Sequence, residues 1–388
     1  MTDMGEKYDN IRPYTDEEMV AALDRVAAHP LLTNILNFIA PGSERADFEA
    51  LLRSLRTVDD FQVKVMATVM NRLLEGTTTG LTCSGIENTL RPEKSLLLGN
   101  HRDIVLDPGI MQLIFYKNQV PRTEIAVGDN LISSQFVEDI MRSNRMIKVI
   151  RKGTPRELYV NSTLLSNYIR ESVANGRASI WLAQRSGRTK DGSDQTSQGL
   201  LKMLDMSGSG NFVDDFNALA ILPVSVSYEF EPCDFLKARE TFISRRREYV
   251  KAPGEDMNSI LTGILQQKGR VHFHFGEPLT REELEVCGQM DKNERFRGLA
   301  ALLDRKINAN YRLWPNNYIA FDVLAETPEY ADRYTQAEKD CFLGYVEAGL
   351  DALFAKESEE TRAELDRAEL RELVLAMYAN PVHSHRNL

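Results

Sequence analysis

The sequence predicts an α/β protein: a mixed, largely parallel sheet flanked by helices, with helical N- and C-terminal regions. Two rhythms carry this reading. Between residues 81 and 280, six short apolar runs bounded by turn residues (SLLLGN, EIAVGD, MIKVIR, ASIWLAQ, AILPVSVSYEF and GRVHFHFG) alternate with amphipathic stretches of helical length. Strands alternating with helices argue for parallel pairing. Before residue 75 and after about Thr280, apolar residues recur at helical spacing instead. The chain therefore divides into a helical region (1–80), an α/β unit (81–280) and a second helical region (281–388). Its 388 residues exceed what one core usually serves, about 250–300.

Each element has a local reason. Thr15 precedes Glu17 and Glu18 as a helix cap, and Met19, Leu23 and Val26 follow at helical spacing. ADFEALLRSL and DDFQVKVMATVMNRLL read the same way. EGTTTGLTCSG, rich in Gly and Thr, reads as a linker or turn. Helices are expected at PGIMQLIFYKN, LISSQFVEDIMR and RELYVNSTLLSNYIRESVANG, and a charged final helix should stop at Pro381.

Composition narrows the function. The chain carries 47 Lys+Arg against 57 Asp+Glu, a net charge of −10, which argues against bulk nucleic-acid binding. No window approaches the 18 or so apolar residues of a membrane span. MTDMGEKYDN resembles neither a secretory signal nor a transit peptide. Cys83, Cys233, Cys287 and Cys341 form no C-x-x-C pair, which fits a reducing cytoplasm. A G-x-G-x-x-G after a strand, a Walker A loop, H-E-x-x-H and G-x-S-x-G are all missing. No metal and no bound cofactor are expected.

Among the six histidines, His29 is expected at the surface and His383 and His385 in a terminal tail. His272 and His274 share a strand face, where a structural role is favoured over half a metal site. His101 stands apart. It follows the apolar strand SLLLGN, and Asp107–Pro108 reads as the N-cap and N1 of the next helix. His101 should thus sit in a strand-to-helix loop at a carboxyl end of the sheet, where α/β active sites collect. Across that loop Asp107 can bond one ring nitrogen and leave the other as a base.

A second constellation is basic. From Arg142 to Lys190 there are eleven Lys+Arg and two Glu. Arg151 and Lys152 close one strand, and Arg185, Arg188 and Lys190 follow another. Basic residues at neighbouring strand ends suit a phosphate. Arg142, Arg156 and Arg170 read as a solvated face.

These residues resemble the glycerolipid acyltransferases, the glycerol-3-phosphate and 1-acylglycerol-3-phosphate acyltransferase family. The likeness covers Leu81 to Thr280. Asn100–His101 with Asp107–Pro108 looks like the first motif, NRMIKVIRKG (Asn144–Gly153) the second, IWLAQRSGRTKDG (Ile180–Gly192) the third and ILPVSVSYE (Ile221–Glu229) the fourth. FGEPL (Phe275–Leu279) matches the usual exit from the domain. The family places four residues between His and Asp; here there are five, which makes Asp103 a rival partner for His101. Ala183–Gln184–Arg185 stands where the common third motif has Glu-Gly-Thr-Arg.

The resemblance implies transfer of a fatty acyl group to a hydroxyl of glycerol 3-phosphate or 1-acylglycerol 3-phosphate. His101 would be the general base and Asp107 would orient it, while Arg151, Lys152, Arg188 and Lys190 would hold the phosphate. The co-substrate would be an acyl-coenzyme A, acyl-carrier protein or acyl phosphate. The enzyme would be cytoplasmic and peripheral on the cytoplasmic membrane face, with Leu31–Ile39 and Arg245–Arg247 as docking candidates. The alternatives are a non-catalytic lipid- or phosphate-binding protein on this fold, or an acyltransferase using another alcohol.

Overall fold

A computed structural model describes residues 6–39, 42, 44–292 and 294–388 of the chain. Seven strands form one sheet: β1 (Thr78–Ser84), β2 (Leu96–Gly99), β3 (Glu124–Gly128), β4 (Met146–Val149), β5 (Ile180–Ala183), β6 (Leu222–Tyr228) and β7 (Gly269–Phe275). Their order is β1-β7-β6-β2-β5-β3-β4. All neighbours run parallel except β6 and β7, which pair antiparallel. The sheet is mixed and largely parallel, as expected.

Period-two alternation sorts the strand residues into two layers. Leu96, Leu98, Ile180 and Leu182 face one way and pack with Tyr168 and Ile169 of the helix Pro155–Ala174. Leu97, Trp181 and Val224 face the other way and pack with Ile110 and Met111 of the helix Leu106–Lys117. Burial on both sides explains why these strands read as continuous apolar runs.

Three expectations are corrected. EGTTTGLTCSG is no linker: Thr78–Ser84 is the edge strand β1, paired with β7 from Thr78 opposite Gly269 to Ser84 opposite His274. Its partner lies about 190 residues away, so local composition could not reveal it. Pro381 does not end the final helix, which runs from Arg367 to Arg386 with Pro381 buried inside it. Proline removes only the hydrogen bond to the carbonyl four residues back, here that of Met377, and burial of Val374, Tyr378 and Val382 holds the helix together. His383 and His385 are accordingly not in a loose tail. His383 packs on Phe321, and His385 Nε2 lies 2.9 Å from the Tyr311 carbonyl.

In the N-terminal region Thr15 and Glu18 form a reciprocal cap, and Met19, Leu23 and Val26 are buried. Leu32 and Leu36 of the helix Leu31–Ile39 are buried in the same cluster, which gives that face to the core. The side chains of residues 35, 38 and 39 lie outside the described residues. Arg245 and Arg246 pair with Glu369, and Arg247 pairs with Glu364, so the basic run is met by acids.

Candidate active site

The loop after β2 is pinned before it carries any chemistry. Asn100 Oδ1 accepts from Val226 N at 2.8 Å, and its Nδ2 donates to Val226 O at 3.0 Å and Asp194 Oδ2 at 2.9 Å. His101 follows, with Nδ1 2.8 Å from Asp107 Oδ2. The same oxygen accepts from the backbone N–H of Arg102 at 2.6 Å and of Asp103 at 2.9 Å. The other oxygen accepts from the Tyr228 hydroxyl at 2.7 Å. A carboxylate with this many donors is fixed in place, and it in turn fixes the imidazole as the Nδ1–H tautomer. Among the described residues Nε2 makes no hydrogen bond.

The helix begins at Leu106, one residue before Asp107, so Asp107 is not its N-cap. The N-cap is Val105, and Asp103 braces the entry to the helix, with Oδ1 accepting from Val105 N at 2.9 Å and Leu106 N at 2.8 Å. The first helical turn therefore carries Asp107 back over the loop, which absorbs the five-residue spacing. Of the two candidate partners, Asp107 is the one beside His101. Among the described residues Asp103 Oδ2 is buried without a partner, and burial followed by the neighbouring Asp107 charge raises the Asp103 pKa.

His101, Arg151, Arg188 and Lys190 line one cavity of about 360 Å³ at the carboxyl ends of β2, β3 and β5. Trp181 meets the imidazole edge-on, with ring centroids 5.7 Å apart. Arg188 is buried, and its Nη1 has no partner among the described residues. Lys190 is ion-paired with Glu240, while burial and then the Arg188 charge lower its pKa. Lys152 is exposed and lies outside the cavity lining. Of the four phosphate candidates, then, three share a cavity with His101. Arg156 is exposed, but Arg142 and Arg170 are not a solvated face. Arg142 donates to the carbonyls of Arg12 and Asp9, and Arg170 to those of Asp215 and Leu204.

Sequence reasoning missed Tyr228, Glu240 and the buried Arg102. Arg102 Nη2 reaches Asp194 at 2.5 Å and its Nη1 reaches Glu231 at 3.2 Å, while Lys237 bonds both Glu231 and the Arg102 carbonyl. The end of the third motif, the segment after the fourth, and the His101 loop are thus tied by one set of buried charges. The only signal for Tyr228 was its place at the carboxyl end of a strand. His272 and His274 bond Thr82 and Ser84, and burial pushes His272 down to about 4, which keeps it neutral.

A histidine held by a carboxylate thus stands at the carboxyl edge of the α/β sheet and faces an arginine-lined cavity. Residues 80–227 match the Acyltransferase family. The resemblance drawn from the motifs is borne out over that segment. No curated protein matches the sequence. Among solved structures, the chain is similar to the 1-acyl-sn-glycerophosphate acyltransferase PlsC from Thermotoga maritima, at 12% identity and a TM-score of 0.39 over 75% of this chain and 93% of that one. A likeness that loose assigns nothing further.

Proposed function

We propose that the chain transfers a fatty acyl group from a thioester donor to a hydroxyl of glycerol 3-phosphate or 1-acylglycerol 3-phosphate. The observation that carries this reading is His101, bonded through Nδ1 to Asp107 and lining the same cavity as Arg188, Arg151 and Lys190. In the proposed step Nε2 takes the acceptor's hydroxyl proton as its oxygen attacks the acyl carbonyl. The tetrahedral intermediate collapses, the C–S bond breaks, and the imidazolium returns the proton to the thiolate. Asp107 stabilises the imidazolium. Such base catalysis is worth about 10²–10⁴-fold, so positioning by the cavity supplies much of the rest.

Arg188 and Arg151 are the phosphate ligands in this reading. Lys190 takes part only after exchanging Glu240 for the substrate. Peripheral contact with lipid belongs to the same proposal. Val250 is 79% and Met257 52% exposed, and Lys251 and Asp256 beside them line the cavity, so apolar side chains stand at its rim.

The test is turnover of purified protein with acyl-coenzyme A or acyl-carrier protein and each acceptor. His101→Ala should lower kcat by about 10² or more, and turnover equal to wild type would rule out the base. Arg188→Ala should raise the acceptor KM about tenfold or more, as expected for a lost charge-assisted hydrogen bond. An unchanged KM would rule out the clamp.

A further inference from the structure

At the amino ends of the strands, the residues that precede them line a second cavity, open to solvent, of about 510 Å³. Lys94 precedes β2, Arg122 precedes β3, Arg145 precedes β4 and Arg177 precedes β5. Asp59, from the N-terminal region, is the acid on the cavity wall. The basic stretch from Arg142 to Lys190 therefore lines two cavities. Arg151, Arg188 and Lys190 face His101, while Arg145 and Arg177 face away from it.

Two of these arginines are held in place as a pair. Nε of Arg122 and Nε of Arg145 both donate to Oε1 of Gln62 at 2.9 Å, and Nη2 of each lies 2.7 Å from Oδ1 of Asp59. Their side chains are only 14% and 27% exposed. Among the described residues neither Nη1 makes a hydrogen bond, and Lys94 has no ion-pair partner. Arg177 is already committed to Glu124 and Tyr168. Three cations thus remain opposite one carboxylate. Arg145 also adopts a left-handed backbone, φ 60°, just past the helix Gln135–Ser143, where glycine is the usual residue. Glycine there would bring no guanidinium to the cavity.

We propose that this cavity binds a phosphate group, carried either by a small metabolite or by a lipid headgroup, through Nη1 of Arg122, Nη1 of Arg145 and the Lys94 ammonium. Guanidinium forks match phosphate oxygens, and side chains ordered in advance lose little further freedom on binding. The site is separate from the His101 cavity, and its test does not require the acyl-transfer reading to hold.

The experiment titrates the full chain with pyrophosphate by calorimetry. Arg188→Ala protein should retain one pyrophosphate site. Adding Lys94→Glu, at a half-buried side chain that breaks no ion pair among the described residues, should weaken that site about tenfold or more, and adding Arg145→Ala should do the same. Cosedimentation with phosphatidylglycerol but not phosphatidylcholine vesicles, lost in Lys94→Glu, assigns the phosphate to a lipid headgroup. Pyrophosphate binding without cosedimentation assigns it to a free anion. If Arg188→Ala protein binds no pyrophosphate, or if Lys94→Glu and Arg145→Ala leave its affinity unchanged, the proposal fails.

Discussion

The Tyr228 hydroxyl sits 2.7 Å from Asp107, on the carboxylate oxygen that His101 does not use. Burial, then the negative charge of Asp107, raises the Tyr228 pKa well above its ordinary value, so the phenol stays a donor throughout the working pH range. Tyr228→Phe leaves one oxygen of a buried carboxylate unsatisfied, which costs about 1–3 kcal/mol. We expect lower thermal stability and a fall in kcat with the acceptor KM unchanged. A KM that rises while kcat holds would place Tyr228 in substrate binding instead.

Asp103 and Asp107 should separate cleanly on substitution. Asp107→Asn removes the anion behind the imidazole, and we expect a loss of about 10²-fold or more in kcat. Asp103→Asn keeps an oxygen for Val105 N and Leu106 N and should stay close to wild-type activity. Because the folded-state pKa of Asp103 is raised, its charged form opposes folding at high pH. The Asn variant should therefore gain stability over wild type near neutral pH, and the gain should vanish as the carboxyl protonates on acidification. Equal melting temperatures for the two proteins across the range would contradict this.

Asp234 supplies a second pH signature. It accepts from Tyr345 at 2.7 Å and Tyr378 at 2.8 Å, yet burial pushes its pKa up to about 6. The folded value lies above the unfolded one, so stability falls as pH rises towards and through about 6. A shift of this size corresponds to roughly 3 kcal/mol. Melting curves from pH 4.5 to 7.5 should show a steeper decline for wild type than for Asp234→Asn, whatever their absolute difference. Parallel curves would remove Asp234 from the account.

Gly192 has φ 79°, and a Cβ there would lie 2.0 Å from the Met377 carbonyl oxygen. Proline 381 has deprived that carbonyl of its helical donor, and the loop carrying Arg188 and Lys190 closes against it. Asn380 Nδ2 adds a bond of 2.7 Å to Asp191 O. Gly192→Ala should destabilise the protein by about 1–3 kcal/mol and raise the acceptor KM. Unaltered denaturation midpoints would show that the loop and the final helix can part without loss.

How much was legible depended on sequence distance. His101 and Asp107 are six residues apart, and strand, loop and helix signals around them were strong enough to place both. Asp103 could not be told from Asp107, because capping and orienting both ask for an acid near a helix start. Arg151 and Lys152 looked equivalent, but adjacent loop residues project in different directions, and only Arg151 lines the cavity. Tyr228, Glu240 and the partners of Arg102 lie far along the chain from the groups they serve. Burial of Pro381 in a tertiary cluster overrode its local preference, just as pairing with β7 made a strand of residues that look like a turn.

That last pairing bears on how the protein is made. β1 is synthesised before any other strand, yet its neighbour β7 ends at Phe275. As the ribosome extends the chain, Thr78–Ser84 waits unpartnered until nearly 200 further residues have emerged. Contacts this distant in sequence are slow to form, and an open strand edge in the meantime invites association between chains. The seven-stranded sheet is therefore completed only once β7 has emerged, and a nascent chain stalled before β7 would be the species most prone to aggregate.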